Sequence, residues 1–477
     1  MGSASLEFVA YGLAVALASN LSRSVAWRQF VLLAGSLGFL ACFSWDPLAF
    51  VPLAGFLAFG FLGVRIIQSR SKRAFVPFLL LGILAFVWLK KYAFVPAALF
   101  LPHPYLTLGL SYIFFRVLHL IIDAHSDNIP DNIGVTAYLN YTLNFTTLVS
   151  GPIQSYPDFA AMQLAEKPLP LNLIVAGRAI ARITIGFFKV NVLSLFLSMA
   201  QSSALSSLGS GSATDRILTG ALVVAVYPLY LYANFSGYID IVIGIARFLR
   251  IELPENFDRP FSSKNFLIFW NRWHMTLSNW LKTYVYNPLL IACMQRWPSN
   301  KAEPFIVVFA FFFTFFLIGV WHGQTSVFIF YGVLLGLGVS VAKLYQILMM
   351  KWMGRAKYNK LARNAVYGAL ARGLTFTWFT FSLLWFWSNW TQLGAMAQSH
   401  TASEIAAVWL LVFGAASVIL AVYETAREWL LAVQFENRPL ILSRYARTAW
   451  CTVLAVITVT TLALLNAPAP DIVYKAF

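Results

Sequence analysis

Long apolar runs separated by short polar segments dominate the chain. A helix of about 17 or more apolar residues crosses a hydrocarbon layer of about 30 Å. Such runs give candidate spans at 5–20, 29–45, 48–67, 74–98, 104–122, 134–151, 172–200, 217–247, 304–320, 325–346, 373–391, 404–424 and 447–466. We therefore predict an all-α polytopic membrane protein of roughly 11–13 spans, with re-entrant or interfacial helices. No polar linker divides the runs, so residues 1–477 are predicted to form one membrane domain.

The segment from residue 234 to residue 297 departs from this pattern. It contains Pro254, Glu255 and Asp258, which would be costly in lipid. An aromatic stripe then recurs at helical spacing at Trp270, Trp273, Leu277, Trp280 and Tyr284. Another face of the same turns holds Asn271, His274, Ser278 and Lys282. The two faces predict a single amphipathic helix at the membrane interface, with an anchoring helix that does no chemistry as the alternative.

Composition supports the membrane class. Of the 477 residues, 60% are hydrophobic and 11% are charged, against roughly 25% charged in a soluble protein. The net charge is +16, which in a membrane protein indicates basic cytoplasmic loops. Basic segments at 65–73, 343–372 and 427–447 are therefore predicted to be cytoplasmic, with both termini outside. No recognition motif accompanies them, so nucleic acid is not an expected partner.

Sequence motifs exclude several kinds of site. Cys42, Cys293 and Cys451 lie far apart and have no Cys or His companion at ligand spacing, so neither a disulfide framework nor a metal site is predicted. The chain has no nucleophile elbow, Walker loop, dinucleotide fingerprint or HExxH motif. We predict no bound cofactor.

His322 is the strongest candidate for chemistry. It ends an apolar run that begins near Pro304, and Gly319 and Gly323 lie beside it. A titratable side chain there is expensive unless it is buried in protein or faces a water-filled cavity. Imidazole can accept a proton from a hydroxyl group near neutral pH. The context leaves two interpretations open, a catalytic base or a hydrogen-bonded packing histidine.

Other charged or titratable residues in apolar surroundings are weaker candidates. Asp240, Arg178 and Arg182 could line a substrate path or pair as structural charges. The sequence contexts of the remaining histidines favour structural roles for His103, His119, His125 and His400.

Several stretches together resemble the MBOAT (membrane-bound O-acyltransferase) superfamily. They are 231–240 (LYANFSGYID), 254–257 (PENF), 269–278 (FWNRWHMTLS) and 319–323 (GVWHG), with 111–123 and 148–153 upstream. The branch they resemble holds bacterial alginate O-acetylases and Dlt-type D-alanyl transfer proteins. The resemblance covers about 108–343 and leaves 1–100 and 373–466 as peripheral spans.

This resemblance implies a helical bundle around a tunnel in the bacterial cytoplasmic (inner) membrane. It implies that His322 is the essential catalytic residue and that His274 is a second catalytic-site residue, near the path to the cytoplasm. From the same motifs we predict substrate-binding roles for Asn271, Arg272, Trp273, Trp321 and Asp240. The implied co-substrate is an acyl thioester, either acetyl-CoA or an acyl carrier protein. Other implied partners are membrane lipid and an SGNH-type or related envelope acyltransferase.

The predicted function is transfer of a short acyl group, acetyl above all, to a hydroxyl of an exported polysaccharide or envelope glycolipid. The first alternative is D-alanyl transfer from a carrier protein, because 269–278 is more similar to that group. A second alternative, from another class, is a transporter or flippase, since intramembrane charges and glycines also suit a transport path.

Overall fold

The computed structural model describes residues 5–69, 71–435, 438–465 and 470. Within them, extended pairing is confined to a short antiparallel pair and an isolated bridge between Phe257 and Trp273. The pair joins β1 (Gln434–Phe435) to β2 (Arg438–Pro439). The predicted all-α polytopic fold is confirmed.

The chain forms two compact units, each built from separate stretches of sequence. The first comprises Met1–Asn191, Asn234–Glu255 and Ile457–Phe477, and the second comprises Val192–Ala233 and Asn256–Val456.

In the described part of the first unit, nine helices precede residue 189. They are α1 (Leu6–Ser19), α2 (Val25–Ala41), α3 (Val51–Ser69), α4 (Phe75–Leu89), α5 (Leu110–His125), α6 (Val135–Leu143), α7 (Phe145–Leu148), α8 (Tyr156–Gln163) and α9 (Leu173–Phe188). Short 3-10 turns lie at Pro47–Phe50, Lys72–Ala74 and Ala97–Leu99, and a π-helical segment, Lys189–Leu193, follows α9.

The later helices belong mainly to the second unit, which shares α11 and α22 with the first. They are α10 (Ser194–Ser206), α11 (Ala213–Phe248), α12 (Phe266–Trp270), α13 (Met275–Leu281), α14 (Asn287–Arg296), α15 (Glu303–His322), α16 (Ser326–Met353), α17 (Arg355–Arg363), α18 (Ala365–Ser382), α19 (Leu384–Trp387), α20 (Trp390–Gln398), α21 (Ala402–Ala432) and α22 (Arg444–Leu465). A π-helical segment, Lys282–Tyr286, joins α13 to α14, and 3-10 turns lie at Pro260–Ser262 and Leu440–Leu442.

Eight helical stretches in the described chain are long and apolar enough to cross a membrane, and α1 and α2 are apolar but shorter. The predicted count is larger because it included stretches that fold as short helices. The predicted span 134–151 is wrong for this reason, since α6 ends at Leu143 and α7 begins at Phe145. The Asn144 side chain caps α7 by accepting a hydrogen bond from the Thr146 amide.

A buried arginine stabilises this interruption. The Arg116 guanidinium on α5 donates to the backbone carbonyls of Tyr141, Thr142 and Thr147 at 3.0, 2.8 and 2.9 Å. Carbonyls at the end of a helix have no partner within that helix, so another donor must satisfy them when they are buried. Arg116 supplies these hydrogen bonds inside the first unit.

The predicted amphipathic helix over residues 270–284 is wrong. Helix α12 ends at Trp270, α13 begins at Met275, and His274 adopts a left-handed conformation with φ 45°. The backbone pairs with an upstream segment instead, since the Asp258 amide donates to the Arg272 carbonyl and the Met275 amide to the Asn256 carbonyl. These bonds replace the helical hydrogen bonds of the intervening turn.

Candidate active site

His322 is the last residue of α15 and is only 2% exposed. Aromatic rings surround its imidazole within the second unit. The ring centroids of Trp321, Phe386 and Tyr331 lie 4.8, 5.1 and 5.9 Å from that of His322, and Phe386 meets it edge-on. These rings restrict the orientations that the imidazole can adopt.

Glycines bring α15 and α16 into backbone contact just before this histidine. A Cβ atom on Gly319 would lie 2.1 Å from the Gly332 Cα, and a Cβ on Gly332 would lie 2.5 Å from the Phe316 carbonyl oxygen. A Cβ on Gly323 would lie 2.0 Å from the Phe328 ring. The absence of side chains at these positions lets the helices cross closely, which fixes the place of the end of α15.

A cavity of about 240 Å³ lies between α15 and the chain from α12 to the π-helical segment. Its apolar wall includes Trp270, Phe315 and Ile318, and the first two rings lie 5.2 Å apart. Its polar wall is formed by Asn271, Ser278, Asn279, Lys282 and Thr314. Ile318 lies one helical turn before His322 and on the same face of α15. The cavity therefore extends along the face of α15 that carries the imidazole.

The predicted polar face only partly coincides with this cavity. Asn271, Ser278 and Lys282 line it, although the helix that was predicted to carry them is interrupted. His274 does not line it, because the turn between α12 and α13 buries this side chain to 1% exposure. The spacing in the sequence predicted which polar side chains form this wall of the cavity. It did not predict the break in the helix that carries them.

Asn256 orients the buried imidazole of His274. Its Oδ1 accepts hydrogen bonds from the Thr276 amide at 3.1 Å and from the Thr276 hydroxyl at 2.9 Å. The same oxygen lies 3.2 Å from His274 Nδ1. Because this oxygen can only accept hydrogen bonds, its contact with Nδ1 requires that Nδ1 carry the proton. Nε2 is then the acceptor nitrogen of the neutral ring. Burial lowers the pKa of His274 to about 3, which keeps the ring neutral at pH 7.

The other substrate-binding predictions in this unit fall in different places. Asn271 lines the cavity and Trp321 packs beside the catalytic candidate, whereas Arg272 is half-buried in the turn. Trp273 lies in an aromatic core, with ring centroids 5.6 Å from Phe269 and 5.0 Å from Phe379. Three further polar side chains, which the sequence pattern did not predict, lie here: Asn256, Asn279 and Thr314.

Asp240 belongs to the first unit and is ion-paired there. Its carboxylate accepts from Arg182 Nε at 2.9 Å and from Lys189 Nζ at 2.7 Å. Arg182 also donates to both carboxylate oxygens of Glu255 at 2.5 Å, while Arg178 is exposed. This arrangement matches the interpretation of Asp240 as a paired structural charge, and its role toward substrate stays a prediction. Within the described ranges, no cluster of three or more His, Cys, Asp or Glu residues could hold a metal ion.

Comparison with known proteins places the chain. Residues 124–386, more than half of its length, match the model of MBOAT, the membrane-bound O-acyltransferase family. The chain belongs to this family. The matched MBOAT region contains His274, His322 and the whole cavity lining.

Curated relatives support the MBOAT assignment. A teichoic acid D-alanyltransferase of Bacillus subtilis is 30% identical over 58% of this chain and 67% of its own length. A peptidoglycan O-acetyltransferase of Helicobacter pylori is 32% identical over 44% of this chain and 38% of its own length. A probable alginate O-acetylase of Pseudomonas syringae pv. tomato is 28% identical over 51% and 44%. The matched part of this chain thus spans less than half the length of the peptidoglycan O-acetyltransferase and of the probable alginate O-acetylase.

The MBOAT assignment confirms the predicted resemblance and the predicted enzyme class, an acyltransferase. It favours that class over the transporter or flippase alternative. The roles of individual residues, the acyl donor and the acceptor stay predictions.

Proposed function

We propose that this protein transfers an acetyl group from a thioester donor to a hydroxyl of an exported polysaccharide or envelope glycolipid. The observation that carries the proposal is the position of His322, which is buried at the end of α15 one turn beyond a cavity with polar and apolar walls. The names of the relatives support acyl transfer to an envelope polymer in general.

The proposed chemistry needs one base beside the acceptor hydroxyl. His322 would take the hydroxyl proton as the oxygen attacks the thioester carbonyl. The carbon–sulfur bond then breaks, an oxygen ester forms, and the leaving thiolate takes up a proton. Burial among Trp321, Phe386 and Tyr331 would exclude water, which otherwise competes with the acceptor for the thioester.

The charge of the cavity wall favours acetyl over D-alanyl. Its described lining contains one charged residue, Lys282, and includes no Asp or Glu. A D-alanyl group carries an ammonium, which a lysine repels and which would require a carboxylate or carbonyl partner. An acetyl group carries no charge. Lys282 would also attract the phosphates of a coenzyme A or phosphopantetheine donor.

A donor comparison tests this proposal. The purified protein in vesicles is supplied with an envelope polysaccharide acceptor and either acetyl-CoA or a D-alanyl thioester of a carrier protein. We expect ester formation from the acetyl donor, detected by mass spectrometry of the polymer. We also expect Lys282→Glu to lower the acetyl transfer rate at limiting donor by about tenfold, the ratio that about 1.4 kcal/mol produces. Lys301→Glu, an exposed charge reversal outside the cavity lining, is the matched control.

Two results would contradict the proposal. Faster transfer of D-alanine than of acetate by the unaltered protein would favour the D-alanyl alternative. Equal acetyl transfer by Lys282→Glu and Lys301→Glu would remove the cavity from the donor path.

A separate prediction concerns the Asn256–His274 pair. Asn256→Ala removes the acceptor of His274 Nδ1 and of Thr276, so the imidazole loses its fixed orientation. We expect a fall of about 100-fold in acyl transfer, the order of the loss that a misplacement of about 1 Å causes, and a similar fall in His274→Ala. The double variant should be no worse than His274→Ala alone, because Asn256 acts through the imidazole. Additive losses in initial rates would show that the two residues act independently.

A further inference from the structure

A second and larger cavity of about 600 Å³ lies in the second unit, away from the residues assigned above to acyl transfer. It is lined by parts of α16, α17 and α18, with Phe266 of α12. Two aromatic rings of its wall pack closely against α16, since a Cβ on Gly338 would lie 2.3 Å from Trp378 Nε1 and 2.8 Å from the Phe266 ring. The Trp378 indole donates to the Leu334 carbonyl at 3.3 Å, which fixes that ring. This part of the wall is therefore rigid.

The outer part of the cavity is apolar and open. Val341, Leu370 and Leu374 line it and are 60, 47 and 53% exposed. In a membrane protein, such exposed apolar side chains face lipid tails. The volume lies within the range of ligand cavities, about 300–1,000 Å³. An extended hydrocarbon chain suits a cavity with these walls.

The mouth of the cavity is polar and basic. Helix α17 contributes Tyr358 and Ala362 to the lining. The same helix carries exposed cations and no acidic residue, with Arg355, Lys357, Lys360 and Arg363 along its nine residues. The Tyr345 and Tyr367 hydroxyls lie 3.4 Å apart at this end. A helix with one face on apolar side chains and a basic outer face lies in the plane of a membrane surface.

Further cations lie beside this mouth. Lys264 lines the cavity, donates to the Ala362 carbonyl at 2.9 Å and lies with Arg372 next to Gly368. Burial, and then the charge of Arg372, lowers the pKa of Lys264. Two carboxylates act on Lys264, those of Glu424 and Glu428. Glu424 accepts from the Ser262 hydroxyl and pairs with Arg427 at 3.8 Å, and the cations of α17 with Lys264 and Arg372 outnumber the two carboxylates. The net charge of the mouth is positive, so it would attract an anionic group.

We infer that this cavity binds an anionic phospholipid of the cytoplasmic leaflet, with one acyl chain along α16 and α18 and the phosphate beside Lys264 and the cations of α17. The leaflet follows from the basic segment 343–372, which is predicted to be cytoplasmic. Anionic lipids of that surface attract basic segments that lie at its level. The site uses none of the residues of the proposed acyl transfer, so it goes beyond that function.

Lipid retention by the purified full chain tests the inference. Delipidated protein in detergent is titrated with dioleoyl phosphatidylglycerol or dioleoyl phosphatidylcholine, and bound lipid is counted by native mass spectrometry. We expect phosphatidylglycerol to bind at least about tenfold more tightly, given about fivefold for each cation near the headgroup. Leu374→Trp, which fills the open part, should abolish retention of both lipids. The triple variant K357Q/K360Q/R363Q should bring phosphatidylglycerol down to the level of phosphatidylcholine.

The matched control is R65Q/K72Q/R73Q, which removes as many exposed cations from another segment predicted to be cytoplasmic. It should retain phosphatidylglycerol as the unaltered protein does. Equal loss in both triple variants, or full retention in K357Q/K360Q/R363Q, would overturn the inference. In a further arm, glycerol 3-phosphate is added in place of the lipid. Binding of this headgroup with no acyl chain present would show a free-anion site and not a lipid site. If Leu374→Trp does not fold, the comparison of the triple variants decides. Acyl transfer is not the readout, so failure of the proposed function would leave this test intact.

Discussion

His322→Gln is expected to lower the rate of acyl transfer by about 10²–10⁴-fold, the usual effect of removing a general base. Glutamine keeps most of the volume and polarity of the imidazole, so the packing against Trp321, Phe386 and Tyr331 should persist. His322→Ala should be as inactive. A histidine that only packs would behave differently, with lower stability and yield and little direct change in rate.

Two measurements on the same preparation separate these interpretations. Thermal stability in detergent and initial rates of transfer are recorded for His322→Gln, His322→Ala and the control His400→Gln. His400 is half-buried, and its Nε2 lies 3.0 Å from the Arg216 carbonyl oxygen. It is not among the residues proposed to act in acyl transfer. The control should keep its activity. Retention of more than about a tenth of the activity by His322→Gln would exclude a general base, on the same rate scale.

Gly319→Ala is expected to destabilise the fold, although alanine is the better helix former. Alanine is favoured over glycine by about 1 kcal/mol in a helix interior. At Gly319 the added methyl group would lie 2.1 Å from the Gly332 Cα, and backbone cannot move aside as a flexible side chain can. Overpacking of this kind costs about 1–3 kcal/mol, so the melting temperature should fall. Gly332→Ala, which meets the Phe316 carbonyl, should act in the same way.

Gly414 supplies the matched control for this substitution. It lies within α21, and nothing comes within 4 Å of a Cβ built there. Gly414→Ala should leave the melting temperature unchanged or raise it, through helix propensity alone. Similar shifts for Gly319→Ala and Gly414→Ala would mean that α15 and α16 do not depend on close backbone contact.

The apolar periodicity predicted the long helices because length and hydropathy suffice for them. Helix α15, for example, begins one residue before the predicted span at residue 304. The same pattern could not show that Asn144 ends α6, since that interruption depends on Arg116 from another helix. A hydrogen-bond donor supplied by a distant residue leaves no periodic signal in the segment that it stabilises.

The candidate site could also be predicted only in part. His322 could be singled out from its local sequence, because a titratable group at the end of an apolar run is unusual. The turn before His274 could not be predicted from local sequence, since backbone hydrogen bonds to residues 256–258 replace the expected helical ones. Helical spacing still identified Asn271, Ser278 and Lys282 as a group, and these residues do line the cavity.

The π-helical segment Lys282–Tyr286 has a consequence for changes in chain length. Segments of this kind arise where a helix accommodates one additional residue, and they are frequent at functional sites. Deleting one residue here would return the segment to an ordinary helical turn. Because the widened turn already absorbs the additional residue, α13 and α14 would keep nearly their present faces. This stretch should therefore accept a one-residue deletion more readily than a regular helix does, provided that Lys282 and Tyr286, which line the cavity, are kept.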